Sequence, residues 1–312
     1  MIQPAATLVT GLGTINCLAS AAPSAWEALR AGESGITKGF GFIPETEIED
    51  ARNYLTERVE AARGRLPTRF ADSDTLALSL RAAEEAMADA GWSALGPDDG
   101  LILASTTGQA HFWEAALMNY LRDPSAVDRF REVYVAQPLG ALLQDFRILL
   151  NHAGHATLVA SACSASTQAL SLAHHWIRSG KVKRCLVGGV ELLCRLTSTG
   201  FSSFQLLAPE RCRPFDQERS GISLSEATAF LCLEGETDHE AYGEILGFGF
   251  ASDASHMTAP HPEGDGCRRA MLKALRDANV GPANLDWIHT HGTGSVQNDS
   301  AEGAAIEAIL QQ

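Results

Sequence analysis

Cys163 stands in Ser161-Ala162-Cys163-Ser164-Ala165-Ser166, where it is the one strong nucleophile among small, unhindered residues. The short apolar run Thr157-Leu158-Val159-Ala160 before it reads as a buried strand. From Thr167 to about Arg178 the apolar positions Ala169, Leu170, Ala173 and Ile177 fall on one helical face. A thiol between strand and helix meets unsatisfied backbone N–H groups and the positive end of the helix dipole, and both favour the thiolate. That is one route to a reactive cysteine. A small buried cysteine at a tight strand–helix junction fits the hexapeptide alone equally well.

Histidine supplies the second chemistry. His289-Thr290-His291-Gly292-Thr293-Gly294-Ser295 follows an apolar stretch and leads to Asn298-Asp299 and Glu302. A single histidine in such a place is ordinarily a structural residue. The His289–His291 pair could ligate metal, but no third ligand stands at a characteristic spacing, so no metal is expected. Gly11-Leu12-Gly13 lacks the third glycine and charged partners of a phosphate loop and reads as a backbone turn.

The elements needed to hold these residues are legible as alternating strands and helices. Strands are expected at 7–13, 101–105, 157–160, 185–190, 227–233, 245–251 and 286–289. Helices are expected after Pro23, from Asp72 to Ala90, at 109–121, 138–151, 167–178 and 267–278, and from about Asp299. Residues 32–67 are irregular and read as a surface excursion, and 209–225 as a polar loop. The alternation implies parallel β-α-β units in a layered α/β protein. A second α/β unit begins near Glu244, giving halves 1–243 and 244–312.

At 312 residues and 45% hydrophobic content, a large core is available. With 24 basic against 38 acidic residues the net charge is −14, which disfavours a nucleic-acid partner. Seven cysteines, an odd count without a CxxC pair, read as reduced thiols in the cytoplasm. No apolar stretch approaches a membrane span, and the N-terminus lacks a signal-peptide layout.

Taken with Arg213-Pro214-Phe215-Asp216-Gln217-Glu218-Arg219-Ser220-Gly221 and Ser252-Asp253-Ala254-Ser255-His256-Met257-Thr258-Ala259-Pro260, these motifs resemble the β-ketoacyl-acyl carrier protein synthases. The resemblance is to the elongating, decarboxylating group, and in wording to the aryl-polyene type. It implies a thiolase-like α-β-α-β-α fold of two related halves. It implies that Cys163 takes an acyl chain from a carrier-protein phosphopantetheine thioester and then condenses it with a malonyl-carrier thioester. His291 would support decarboxylation by donating a hydrogen bond to the malonyl thioester oxygen as enolate charge develops. Thr293 and Ser295 would line the pantetheine channel, Thr258 would sit near its mouth and Phe201 would border the acyl pocket. Asp299 and Glu302 would brace the histidine loop, and Arg65, Arg69 and Arg211 would grip an acidic carrier protein. No bound cofactor is implied. Family members dimerise, with the strand 185–190 expected at the seam, as a homodimer or with a ketosynthase-like partner.

The family's pattern continues beyond Asp299–Glu302 with a lysine, a second histidine in a GHxxGAAG-like motif and a GFGG-type turn. None has a counterpart in these 312 residues, so the second half is expected to be incomplete. A fragment, a natural short form completed by a partner and a shortened protein with a reduced role all fit. Acyl transfer to Cys163 could survive without those motifs, whereas condensation would suffer. The alternative is a non-catalytic or acyl-transfer-only partner of the chain-length-factor type, against which Cys163 and His291 argue. An unrelated cysteine hydrolase is disfavoured, since nothing supplies a Cys/His/Asn order of the kind such hydrolases use.

Overall fold

The computed structural model describes residues 6–256 and 259–311. The chain opens with β1 (Leu8–Asn16) and α1 (Ala22–Arg30), passes two short strands, β2 (Ile36–Thr37) and β3 (Phe40–Gly41), and enters α2 (Glu45–Ala61) and α3 (Asp74–Asp89). β4 (Gly100–Ala104) leads to α4 (Ala110–Arg122), α5 (Val127–Tyr134) and α6 (Leu139–Leu149). Then come β5 (His155–Val159), α7 (Ala165–Arg178), β6 (Arg184–Glu191) and α8 (Arg195–Ser203). β7 (Leu224–Ser225), β8 (Ala227–Glu234) and β9 (Gly243–Glu244) precede α9 (Asp265–Ala278) and α10 (Val296–Leu310).

The chain divides into two compact units that do not follow a single cut near Glu244. The first takes the chain through Gly35, Phe42–Thr197 and Ser225–Ile245. The second takes Ile36–Gly41, Ser198–Leu224 and the chain from Leu246 on.

The first unit is built on a mixed sheet in the order β5-β4-β6-β8-β1-β9. β4 runs parallel to β5 and to β6, while β8 is antiparallel to both β6 and β1. Strand alternation sends successive side chains to opposite layers. Leu101, Leu103, Leu186 and Phe230 join Leu55 of α2, Leu76 and Leu80 of α3 and Phe146 of α6 in one core. Ile102, Ala104, Val187 and Leu233 face Ala169, Ala173 and Ile177 of α7 in the other. Each fully buried leucine or phenylalanine contributes roughly 1.5–3 kcal/mol, so the two layers fix where the strand ends point.

Several expectations need correction. Gly11 and Gly13 lie inside β1, not in a turn. A Cβ on either would stand 2.2 Å from the Ala86 carbonyl oxygen or 2.0 Å from that of Ala82, so α3 rests directly on strand backbone there. Residues 32–67 contain α2, which buries Ile48, Ala51, Leu55 and Val59 at helical spacing beneath a strongly charged outer face. β6 is an interior strand, paired along its length with β4 and β8, so it cannot form a dimer seam; the sheet edges are β5 and β9.

Residues 245–251 and 286–289 carry no β-ladder among the described residues. In the former, side chains of α9 take the backbone groups instead. Asp277 accepts from the Phe248 N–H at 2.9 Å, and Lys273 donates to the Phe250 carbonyl at 2.8 Å.

Candidate active site

Cys163 lies in the first unit, in the turn that carries the chain from β5 into α7. Ala162 takes φ 50°, a left-handed conformation that costs an alanine about 1 kcal/mol. The turn is closed by the Ser164 N–H to the Ser161 carbonyl at 3.3 Å and the Ala165 N–H to the Ala162 carbonyl at 3.0 Å. The Ser164 hydroxyl also donates to the Ser161 carbonyl at 2.9 Å and accepts from the Gln168 amide at 2.9 Å. Ala165, Ala169 and Ala173 bury the inner face of α7. The helix is therefore fixed by packing, while Cys163 just ahead of it remains exposed. Burial pushes the thiols of Cys185 and Cys232 far up, and that of Cys267 up, which leaves them poor nucleophiles.

His291 lies in the second unit, in a loop held by two carboxylates from α10. Glu302 accepts from the His291 N–H at 2.7 Å and from the Gly292 N–H at 2.9 Å. Asp299, with no exposed side-chain surface, accepts from the Gly294 N–H at 3.2 Å and the Phe215 N–H at 2.8 Å. Gly294 (φ 82°) is needed, because a Cβ there would stand 2.6 Å from the Gly221 carbonyl oxygen. The Gly221 N–H donates to the Gly294 carbonyl at 3.1 Å. Charge-assisted bonds from backbone N–H groups to buried carboxylates are the stronger kind, and together they tie residues 212–221 to the histidine loop.

The other sequence candidates divide. The Thr293 and Ser295 hydroxyls stand 3.0 Å apart, and Ser295 caps α10 by accepting from the Asn298 N–H at 3.4 Å. Phe201 is half-buried on α8. Thr258 lies outside the described residues. Arg65 and Arg211 are exposed. Arg69 is not a surface grip. Its guanidinium makes two 2.7 Å bonds to Asp145, which is 4% exposed, and Gln109 donates to the same carboxylate at 2.9 Å. An arginine so committed belongs to the interior.

Some groups went unassigned at the sequence level. Arg219 donates to the Asp216 carbonyl, the Val296 carbonyl and the Ser300 hydroxyl, with its Nε 3.9 Å from Asp299. It thereby joins the 213–221 motif to the start of α10; the serial order of the two motifs was the only signal. His111 of α4 stands 3.6 Å from Asp74, and its Nδ1 is 3.0 Å from the Leu193 carbonyl. Hydrogen bonding to Asp74 raises its pKa to about 9. It shares a cavity of about 380 Å³ with Arg52, Asp74, Arg129 and Phe112. Neither Cys163 nor His291 lines that cavity.

The profile of the beta-ketoacyl synthase N-terminal domain matches residues 6–239, and that of the C-terminal domain matches 242–312. The chain belongs to the β-ketoacyl synthase family. A putative mitochondrial 3-oxoacyl-[acyl-carrier-protein] synthase of Schizosaccharomyces pombe is 30% identical over 97% of this chain and 76% of its own length. The solved ishigamide ketosynthase/chain length factor is 28% identical with a TM-score of 0.85, covering 99% of this chain and 78% of that one. A ketosynthase in complex with its chain length factor from Xenorhabdus doucetiae is 25% identical with a TM-score of 0.75, covering 98% and 76%. The fold is accordingly thiolase-like, and no helix among the described residues is long and apolar enough to cross a membrane.

Proposed function

We propose that this β-ketoacyl synthase chain is a cytoplasmic acyltransferase whose nucleophile is Cys163. The Cys163 thiolate attacks the carbonyl carbon of an acyl-carrier thioester. A tetrahedral oxyanion forms, the C–S bond to the phosphopantetheine breaks, and the carrier leaves as a thiolate that takes up from water the proton the Cys163 thiol had released. The acyl group then rests on the Cys163 sulfur, ready for condensation with a malonyl-carrier thioester that loses carbon dioxide. Capturing the acyl group covalently divides one hard carbon–carbon bond formation into two easier steps. His291 acts on the malonyl partner by donating an imidazole N–H to the thioester oxygen as enolate charge develops. No resident cofactor enters this chemistry, since the substrates arrive on the carrier's own phosphopantetheine.

The observation that carries the reading is the exposed thiol of Cys163 beside the left-handed Ala162, at the entry of a helix fixed by buried alanines. Arg65 and Arg211 remain as candidate grips for an acidic carrier protein. Assembly through the β5 edge, with a second copy or a ketosynthase-like chain, replaces the interior β6 as the expected seam. Light scattering at micromolar concentration should give a dimer; only monomer would contradict that seam. Acyl loading of Cys163, followed by intact mass, tests the function.

A second reading is an acyl-transfer-only partner in a heterodimer. It is favoured by the likeness to solved structures of ketosynthases together with chain length factors.

A further inference from the structure

The turn that carries Cys163 is strained, with Ala162 at φ 50°. Bonds among residues 161, 162, 164, 165 and 168 close it from within. A strained turn persists where the surrounding structure over-determines it, so its flanks matter.

The flank on the strand side is β5, an edge strand whose ladder within the chain runs to β4. The two strands are parallel, with Ala104 opposite Val159, and the Ser105 N–H extends the pairing by donating to the Val159 carbonyl at 3.2 Å. Residues 105–108 and the Cys163 turn therefore leave neighbouring strands at the same end of the sheet.

One carboxylate gathers the 105–108 loop. Glu191, the last residue of β6, accepts from the Ser105 hydroxyl at 3.0 Å, the Thr106 N–H, the Thr107 N–H at 3.2 Å and the Thr107 hydroxyl at 2.6 Å. The Ser105 hydroxyl accepts in turn from the Gly108 N–H at 2.8 Å. Bonds to an ionised acceptor are the stronger kind, and four of them converge here. β6 runs parallel to β4 with Gly189 opposite Ala104, so Glu191 stands at the sheet end from which the Cys163 turn departs. The flank on the helix side meets the same strand. A Cβ on Gly189 would stand 2.9 Å from the Ser166 hydroxyl oxygen, which puts the first turn of α7 against β6.

We propose that Glu191 is a positioning residue for the Cys163 nucleophile. By clamping residues 105–107 at the end of β4, it fixes the end of β5 and with it the shape of the Cys163 turn. This deepens the ketosynthase reading and needs from it only that Cys163 accepts the acyl group. Glu191 acts through the loop and not through contact with substrate.

The test uses the full chain with Glu191→Ala and Glu191→Gln. In Glu191→Ala the Thr106 and Thr107 N–H groups lose their acceptor. Their exchange, and that of the turn-closing Ser164 and Ala165 amides, should quicken at least about tenfold. The maximal rate of Cys163 loading from an acyl-pantetheine thioester should fall at least about tenfold, with the half-saturating concentration within about twofold. A displaced nucleophile impairs attack more than binding. Glu191→Gln keeps a carbonyl oxygen for the two N–H groups and should lose no more than about threefold. Wild-type loading by Glu191→Ala, equal losses in both variants, or slower loading with unchanged Ser164 and Ala165 exchange would each overturn the proposal. Should Glu191→Ala fail to fold, Thr107→Val, which removes one hydroxyl donor, should slow loading by about threefold, and no slowing would overturn it equally. In all these cases loading by the wild type leaves the ketosynthase reading standing. If the wild type loads no thioester, that reading fails and the proposal with it.

Discussion

Glu302 holds the His291 N–H on one carboxylate oxygen at 2.7 Å and the Gly292 N–H on the other at 2.9 Å. The backbone of the histidine loop is therefore tied to α10. Glu302→Ala strands two N–H donors and should cost roughly 2–4 kcal/mol of local stability. Amides of His291 and Gly292 should then exchange faster, and any malonyl-carrier decarboxylation should fall at least about tenfold. Equal exchange in the variant would show that the loop is held by something else.

Asp299 is buried between the Gly294 and Phe215 N–H groups, with Arg219 3.9 Å away. Asp299→Asn removes the charge and turns one acceptor into a donor facing an N–H. A loss of roughly 3–5 kcal/mol is expected, as for a broken buried ion pair. Denaturation monitored in the second unit should show it, and native-like stability would contradict the tie.

Arg69 and Arg65 should part company. Arg69→Met leaves Asp145 buried without its cation and should lower stability by roughly 3–5 kcal/mol. Arg65→Met, on an exposed side chain, should leave stability within about 0.5 kcal/mol. Urea melts of the two variants decide it; equal, small effects would return Arg69 to the surface role.

His111 gives the first unit an alkaline sensitivity. Asp74 of α3, itself held by Arg52, is its main partner, with the Leu193 carbonyl and the more distant Glu226 adding to the pull, and Arg129 shares its cavity wall. A pKa raised from 6.5 to about 9 means the folded state binds the proton more tightly. The stabilisation is therefore complete below pH 6.5, declines above it and is gone above about pH 9. Since the ring is 42% exposed, screening leaves roughly 1 kcal/mol. Urea stability compared at pH 7 and pH 10 should show this loss in the wild type and not in His111→Gln.

What the sequence made legible follows the physics of each feature. The β4, β5 and β6 strands and the α3 and α7 helices were visible because strong apolar periodicity and end signals coincide. α2 was missed because its charged outer face outweighs four apolar positions, Ile48, Ala51, Leu55 and Val59. Residues 245–251 have strand composition, yet a ladder needs a partner backbone, and α9 side chains take its groups instead. Strand order cannot be read from one strand's composition, so nothing in residues 185–190 showed that β6 lies between β4 and β8. Arg69 carried no sign of Asp145, 76 residues away in the chain. The chemistry of Cys163 and His291 was legible from their motifs. That Glu114 accepts from the Arg195 and Leu196 N–H groups, and Glu226 from those of Ile43 and Leu193, was not, because a carboxylate reaching a distant backbone N–H leaves no local pattern.

The most direct measurement is the intact mass of the protein after incubation with acyl-carrier thioesters, beside Cys163→Ala. The account predicts a single acyl adduct on the wild type, none on Cys163→Ala, and loss of the adduct under thioester-cleaving hydroxylamine. A folded wild type that gains no adduct across several chain lengths, or an adduct that persists in Cys163→Ala, would contradict it.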